Sequence, residues 1–311
     1  MNSSRVKPAM NPEADRAAAG APMQGGAQGF SSLRRARLFR FTFEPRLKKS
    51  SFVVGWTKDT GAVSPLAADH LIKASGSNGF CQIEPADFYP VGGVSVVVDV
   101  ARFPQSRFFY SERNPVVILR ADEPQSNRYE FLNAVLDLAE HYGKTDLREP
   151  SQAEALYTIN GIAAVTAHTT PRRVFAVFTD AATQRKLQER VPANANWQGP
   201  PHVSTYLLWL AGQRHLPGVS LWVEVPFYLS DYEDYPSVKA AVSLLSTMLG
   251  WDLDLGEMDR LAAEQNEKLA RLEDDPQIAE KLRALEEGQS LDREEQMELI
   301  EAVGSVLKGS P

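Results

Sequence analysis

Between residues 51 and 250, short runs of β-branched and apolar residues alternate with segments of helical pattern. That alternation constrains the fold more than any other feature of the chain. "SFVVGW" (Ser51–Trp56) is short, β-branched and bounded by turn residues, as a buried strand should be. "SPLAADHLIKAS" (Ser64–Ser75) opens with Ser then Pro, a cap and first-turn pair, and predicts a helix. "VSVVVDVARF" (Val94–Phe103) is strongly β-prone. "RFFYSERNPVVILRAD" (Arg107–Asp122) reads as two strands around a short turn, hence an antiparallel pair. A helix is predicted near Tyr129–Tyr142, a strand and turn at "ALYTINGIAA", a strand at Arg172–Asp180 and a short helix at "DAATQRKLQ". Then come a helix over Val203–Gln213, a strand over Val219–Pro226, and a helix over Tyr235–Gly250 with a Pro-Ser start and a Gly stop. Strands alternating with helices predict an α/β domain, here over residues 36–254, and the antiparallel pair makes its sheet mixed.

The flanks differ in character. Residues 1–35 are rich in Ala, Gly, Pro, Ser and Met, and read as a disordered leader that cannot offset its ordering entropy by burial. Residues 1–50 hold ten Lys and Arg against three Asp and Glu, a net +7, whereas 251–311 hold seven against seventeen, a net -10. Residues 255–311 therefore read as an acidic helical extension. Met258, Leu261, Leu269 and Leu272 share one helical face, as do Ile278, Leu282 and Leu285, then Met297, Ile300 and Leu307. Asp275-Pro276 and Gly288 mark the breaks between two or three helices. Their apolar stripes need a surface, either on the same chain or on a neighbour. Deleting residues 255–311 is expected to leave the α/β body folded and to weaken assembly.

An overall net charge of -7 argues against a dedicated nucleic-acid binder. The single cysteine, Cys81, excludes an intramolecular disulfide, no Cys/His group shows zinc spacing, and a buried thiol in a reducing compartment fits. No run approaches the roughly 18 apolar residues of a membrane span and no apolar signal core is present, so the expectation is a cytoplasmic protein with no membrane contact.

Catalytic motifs are missing. Gly143-Lys144-Thr145 lacks the first glycine of a Walker loop, that position being Leu138, and the tripeptide follows a helix, which makes Gly143 a cap. Gly92 and Gly93 enter a strand and suit a turn. No G-x-S-x-G surrounds Ser204; Gly199-Pro200-Pro201 reads as a rigid helix entrance that Ser204 or Thr205 caps, with free N–H groups that could meet an anion. The five histidines form no metal or catalytic pattern, and only His202, beside the proline pair, stands out. "YLSDYEDYPS" sets Asp231, Glu233 and Asp234 among Tyr228, Tyr232 and Tyr235; it matches no EF-hand pattern and reads as a solvated loop whose tyrosines suit a contact surface. No catalytic residue, metal site or cofactor is expected. The candidate interaction or ligand surface is Gly199, Pro200, His202, Ser204, Tyr228, Tyr232 and Tyr235.

Three stretches together resemble the proteasome assembly chaperone 2 family over about residues 50–290. They are "WQGPPHVSTYLLWLAGQRHLPGVSLWVEVPFYLS", "YPSVKAAVSLLSTMLGWDLDL" and "LAAEQNEKLARLEDDPQIAEKLRALEE". The last is similar to the helical tail of actinobacterial-type members. The resemblance implies a three-layer α/β/α domain like that of purine nucleoside phosphorylases. It also implies homo-oligomers, trimers among them, and a proteasome-related protein partner. Relatives that engage the proteasome often end in a hydrophobic-Tyr-any tripeptide; this chain ends in Gly309, Ser310 and Pro311 and departs from that pattern. Two functions stay open. One is a non-enzymatic assembly-chaperone-like scaffold. The other is a nucleoside- or small-molecule-processing enzyme on a phosphorylase-like fold, and a ligand-sensing module is a third, lesser possibility. Fold alone does not choose between them.

Overall fold

The computed structural model describes residues 35–47, 49–90, 93–143, 155–191 and 198–308. The leader up to residue 34, Gly92, Lys144, Thr145 and the final tripeptide lie outside the described residues.

Eight strands form one mixed sheet: β1 (Phe39–Phe41), β2 (Ser51–Trp56), β3 (Asn78–Ile83), β6 (Ser106–Ser111), β7 (Val116–Ala121), β8 (Leu156–Ala164), β9 (Val174–Phe178) and β10 (Gly218–Pro226). Their spatial order is β1-β3-β6-β7-β2-β8-β10-β9. The four central strands, β7, β2, β8 and β10, run parallel, and antiparallel strands close both edges. The pair β6–β7 is antiparallel, as its short turn requires. The segment around Cys81, "GFCQIE", reads as a strand edge and forms β3, whereas β1 is a three-residue strand that the sequence pattern does not show. Cys81 sits buried in β3, near the sheet edge.

Helices α2 (Arg128–Gly143) and α4 (Val203–Gln213) cover one face; α1 (Val63–Ser75) and α5 (Tyr235–Leu249) cover the other. A short α3 (Ala181–Leu187) follows β9. Because both faces are covered, the central strands are largely apolar, and successive residues serve opposite cores: Val53 and Ile118 pack with α1 and α5, Val54 and Leu119 with α2 and α4. The result is a three-layer α/β/α domain with a mixed sheet, as expected. Gly161 illustrates the tightness of the centre, where a Cβ would lie 2.1 Å from the Thr60 carbonyl oxygen. The stop signal at Gly250 holds too: it caps α5 in the left-handed region, φ 68°.

Several local expectations are corrected. The run Val94–Phe103 does not join the sheet; β4 (Ser95–Val97) and β5 (Val100–Arg102) make a separate hairpin whose turn places Val98 and Asp99 at positive φ. "ALYTINGIAA" holds one continuous nine-residue strand with no turn at Asn160-Gly161, because pairing with β10 extends along its whole length. Ser64 is not a cap: α1 starts one residue earlier from Ala62, and the Ser64 hydroxyl instead accepts from the Trp56 N–H at 2.9 Å.

The C-terminal segment forms α6 (Gly256–Leu269), α7 (Pro276–Glu286) and α8 (Arg293–Leu307). Asp275 caps α7, and Asp292 with Glu295 makes a capping box on α8. Met258, Leu269, Leu272, Ile278, Leu282 and Leu285 are buried in the same cluster as Val53 and Leu221 of the sheet. The apolar stripes thus meet their own chain, and a deletion of the extension would uncover the core of the body. On α8 the buried positions are Leu299 and Val303, while Met297 is exposed, so the face inferred from periodicity is rotated.

Candidate functional site

A buried polar network links the centre of the sheet to α4. Ser204, in the first turn of α4, is fully buried. Its Oγ donates to Asn160 Oδ1 at 2.6 Å and accepts from the Trp56 indole Nε1 at 2.8 Å. Asn160 Nδ2 in turn donates to Ser220 Oγ at 3.1 Å and to the Leu221 carbonyl at 3.1 Å, and Thr158 Oγ1 donates to Ser220 Oγ at 2.7 Å. This network stitches β2, β8, β10 and α4 together and satisfies polar groups that burial would otherwise penalise. Ser204 faces no histidine or carboxylate base through its Oγ, so the arrangement lacks the geometry of an activated nucleophile.

The cap of α4 is His202, not Ser204 or Thr205. Its Nδ1 accepts from the Ser204 N–H at 3.2 Å, which needs an unprotonated Nδ1. Its Nε2 lies 3.5 Å from Glu123 Oε1, and its ring meets Trp222 edge-on. Burial pulls the His202 pKa below its usual range and pushes that of Glu123 up, the latter partly offset by the Arg128 charge. Gly199 and Pro200 lie exposed on the approach to this helix.

Asp59, just past β2, accepts from the Ser64 N–H at 2.8 Å and the Gly161 N–H at 2.7 Å. Burial nevertheless outweighs these bonds and pushes its carboxyl up to about 7.

The tyrosine loop behaves differently from a solvated segment. Asp234 is fully buried and takes a bidentate pair from Arg172, at 3.0 and 3.1 Å, with side chains 0% and 3% exposed. Arg172 also donates to the carbonyls of His168 and Thr170, and Ser237 bonds Asp234 and the Glu224 carbonyl. Tyr228 is buried, its hydroxyl accepting from the His168 N–H at 2.6 Å, and burial raises its pKa. Tyr232 is half-buried with its hydroxyl close over Gly304 of α8, and Tyr235 bonds Glu233 through its hydroxyl and Gln265 of α6 through its N–H. The seven candidate residues therefore fall into two groups on opposite faces of the sheet. Gly199, Pro200, His202 and Ser204 lie at the start of α4; Tyr228, Tyr232 and Tyr235 lie beside α5 and the C-terminal helices. Ser204 and Tyr228 present almost no side-chain surface. Trp56, Asp59, Glu123, Asn160 and Arg172 were not legible as site residues, because none sits in a recognisable local motif.

Among the described residues no group of three or more His, Cys, Asp or Glu side chains could hold a metal ion, and no helix is long and apolar enough to cross a membrane.

The model of the PAC2 family matches residues 52–273. The chain belongs to the PAC2 family. The family resemblance is thereby confirmed over a span that holds the helix-entrance and Lys-Ala helix stretches and the first part of the tail stretch. Solved structures share the fold at low identity. A Corynebacterium glutamicum protein of unknown function is 18% identical with a TM-score of 0.67, covering 81% of this chain and 96% of that one. Pyrococcus furiosus PbaB, an archaeal proteasome activator, is 21% identical with a TM-score of 0.62, covering 76% and 98%. A Mycobacterium tuberculosis proteasome-assembly chaperone homologue is 18% identical with a TM-score of 0.62, covering 75% and 99%. No curated protein matches the chain.

Proposed function

We propose that this PAC2-family chain is a non-enzymatic interaction protein, an assembly-chaperone-like scaffold that self-associates, as trimers or another closed ring, and takes a proteasome-related protein partner. The observation that carries the reading is the hairpin β4–β5. Of the ten large apolar side chains exposed among the described residues, four lie there or just beyond: Val96, Val98, Val100 and Phe103, with Val98 87% exposed. A concentration of apolar surface on a projecting hairpin is costly in water and suits a protein contact. Tyr206 and Trp209 add a stacked pair on the outer face of α4, of the side-chain types enriched at interfaces. The sealed surroundings of Ser204 speak against hydrolytic chemistry at the one helix entrance that invited it. Relatives named for proteasome activation and assembly support the class of partner. A buried lone cysteine supports a reducing, cytoplasmic setting.

The test is the mass of the full-length protein by light scattering, with and without Val96→Asp and Val98→Asp. The expected result is a multiple of 34.4 kDa for the parent and a smaller assembly for the variant, with unchanged circular dichroism. A parent that stays at 34.4 kDa at tens of micromolar would sink the self-association.

A further inference from the structure

A cavity of about 660 Å³ opens where β2 and β7 end, a size in the usual range for small-molecule sites. Its position follows from the topology. β2 leads into α1 on one face of the sheet, and its neighbour β7 leads into α2 on the opposite face. Adjacent parallel strands whose connections part in this way leave a crevice beyond their carboxyl ends, where α/β proteins bind ligands. Thr57 and Lys58 come from the end of β2, Asp122 and Glu123 from the end of β7, and the β4–β5 hairpin brings Arg102 and Phe103 over the side.

The charges in this cavity are unbalanced. Asp122 is already engaged, accepting from the Gln105 N–H at 2.8 Å and from the Thr57 hydroxyl. Arg120 is committed to Asp69 through two bonds. Lys58 and Arg102 meet no acidic partner among the described residues, and Arg128 spends only its Nε, on the Pro124 carbonyl at 3.0 Å. Three cations therefore face the cavity with donors to spare. Two carboxyls stand against them, Asp122, whose donors are neutral, and Glu123, half-buried and within reach of His202, so the cations remain in excess. Tyr89, Phe103 and two prolines give the walls apolar area.

We propose that this cavity binds a small phosphate monoester carrying hydroxyl groups. Lys58, Arg102 and Arg128 hold the phosphate, since a dianionic oxyanion matches several convergent cationic donors. Glu123 accepts a hydroxyl of the ligand and so distinguishes the ester from bare phosphate. No bond is made or broken; the site binds. The inference does not depend on the scaffold reading, although the hairpin that supplies Arg102 and Phe103 also carries that reading's contact surface.

The experiment is isothermal titration calorimetry of the full-length protein with ribose 5-phosphate, glycerol 3-phosphate and adenosine monophosphate, against inorganic phosphate, ribose and adenosine. Saturable binding of at least one monoester is expected at Kd below about 1 mM, with the uncharged counterparts silent. Lys58→Ala and Arg102→Ala, both at exposed positions, should each weaken it about tenfold, the scale of one charge-assisted contact. Glu123→Gln should weaken the monoester more than inorganic phosphate. Light scattering of each variant separates lost ligand binding from lost assembly. The proposal is overturned if no monoester binds up to about 10 mM. It is equally overturned if the Lys58 and Arg102 variants bind as the parent does, or if inorganic phosphate binds as tightly as every ester.

Discussion

The indole of Trp56 donates a 2.8 Å hydrogen bond to Ser204 Oγ across 148 residues of chain. The first belongs to a central strand and the second to a covering helix, and Asn160 completes the link from the next strand. The contact explains why a serine at a helix entrance is buried: it bridges layers, and the task of capping falls to His202.

Ser204→Ala should therefore cost more than the roughly 1 kcal/mol of a lost cap. It leaves the Trp56 N–H and Asn160 Oδ1 without their partner in a dry interior, about 1–3 kcal/mol for each orphaned group. Urea unfolding measures the loss; a change at or below the cap scale would count against the bridging role.

The Arg172–Asp234 pair is buried on both sides. Asp234→Ala strands the guanidinium, and a loss of about 3–5 kcal/mol is expected. Replacing both residues, Arg172→Met with Asp234→Leu, should recover most of it, because the apolar pair leaves no uncompensated charge. Thermal melts of the single and double variants decide this, and a double variant as weak as the single one would refute it.

His202 titrates below its usual value when folded, and its Nδ1 must be bare to cap α4. The unfolded chain therefore takes up the proton first as pH falls through the ordinary value of 6.5. Stability from this residue is complete above that pH and is lost as pH drops toward the lower folded value. His202→Asn keeps an acceptor without titrating, so the parent should lose stability relative to it between about pH 7 and pH 5. Parallel curves across that window would show that His202 is uncoupled from folding.

The C-terminal helices share the body's core. Leu299→Ala should cost about 2–5 kcal/mol and move the unfolding of the whole chain, not of the tail alone. Near-UV circular dichroism and far-UV signal should shift together along the urea axis. A body transition that stays put while the helical signal melts early would show the extension to be an independent unit.

What could be read from the chain depended on how local its cause was. Ser51–Trp56, Val203–Gln213 and the Gly250 stop declare themselves through composition and periodicity within a few residues, and the structure places each where the pattern does. Asn160-Gly161 carries a turn signature, yet full pairing with β10 keeps it in a strand. Val94–Phe103 has strong strand propensity, yet its two halves pair only with each other, as a hairpin outside the sheet. The site was less legible still. His202 was singled out beside its prolines, but its partner Glu123 lies 79 positions earlier in the numbering, in a segment with no motif.

The sequence by itself determined the class of the fold and the order of its elements, because hydrophobic period, turn chemistry and caps act over one or two turns of chain. It also determined the family, through the order of its Gly-Pro turn, Lys-Ala helix and tail. Only the tertiary structure decided which polar residues are sealed and which stand open. Ser204, Asp59 and Asp234 draw their partners from distant strands and loops, and Lys58 and Arg102 share a cavity only once β2 and the hairpin are brought side by side. Desolvation and hydrogen bonding are set by that three-dimensional neighbourhood, which no short window of sequence contains.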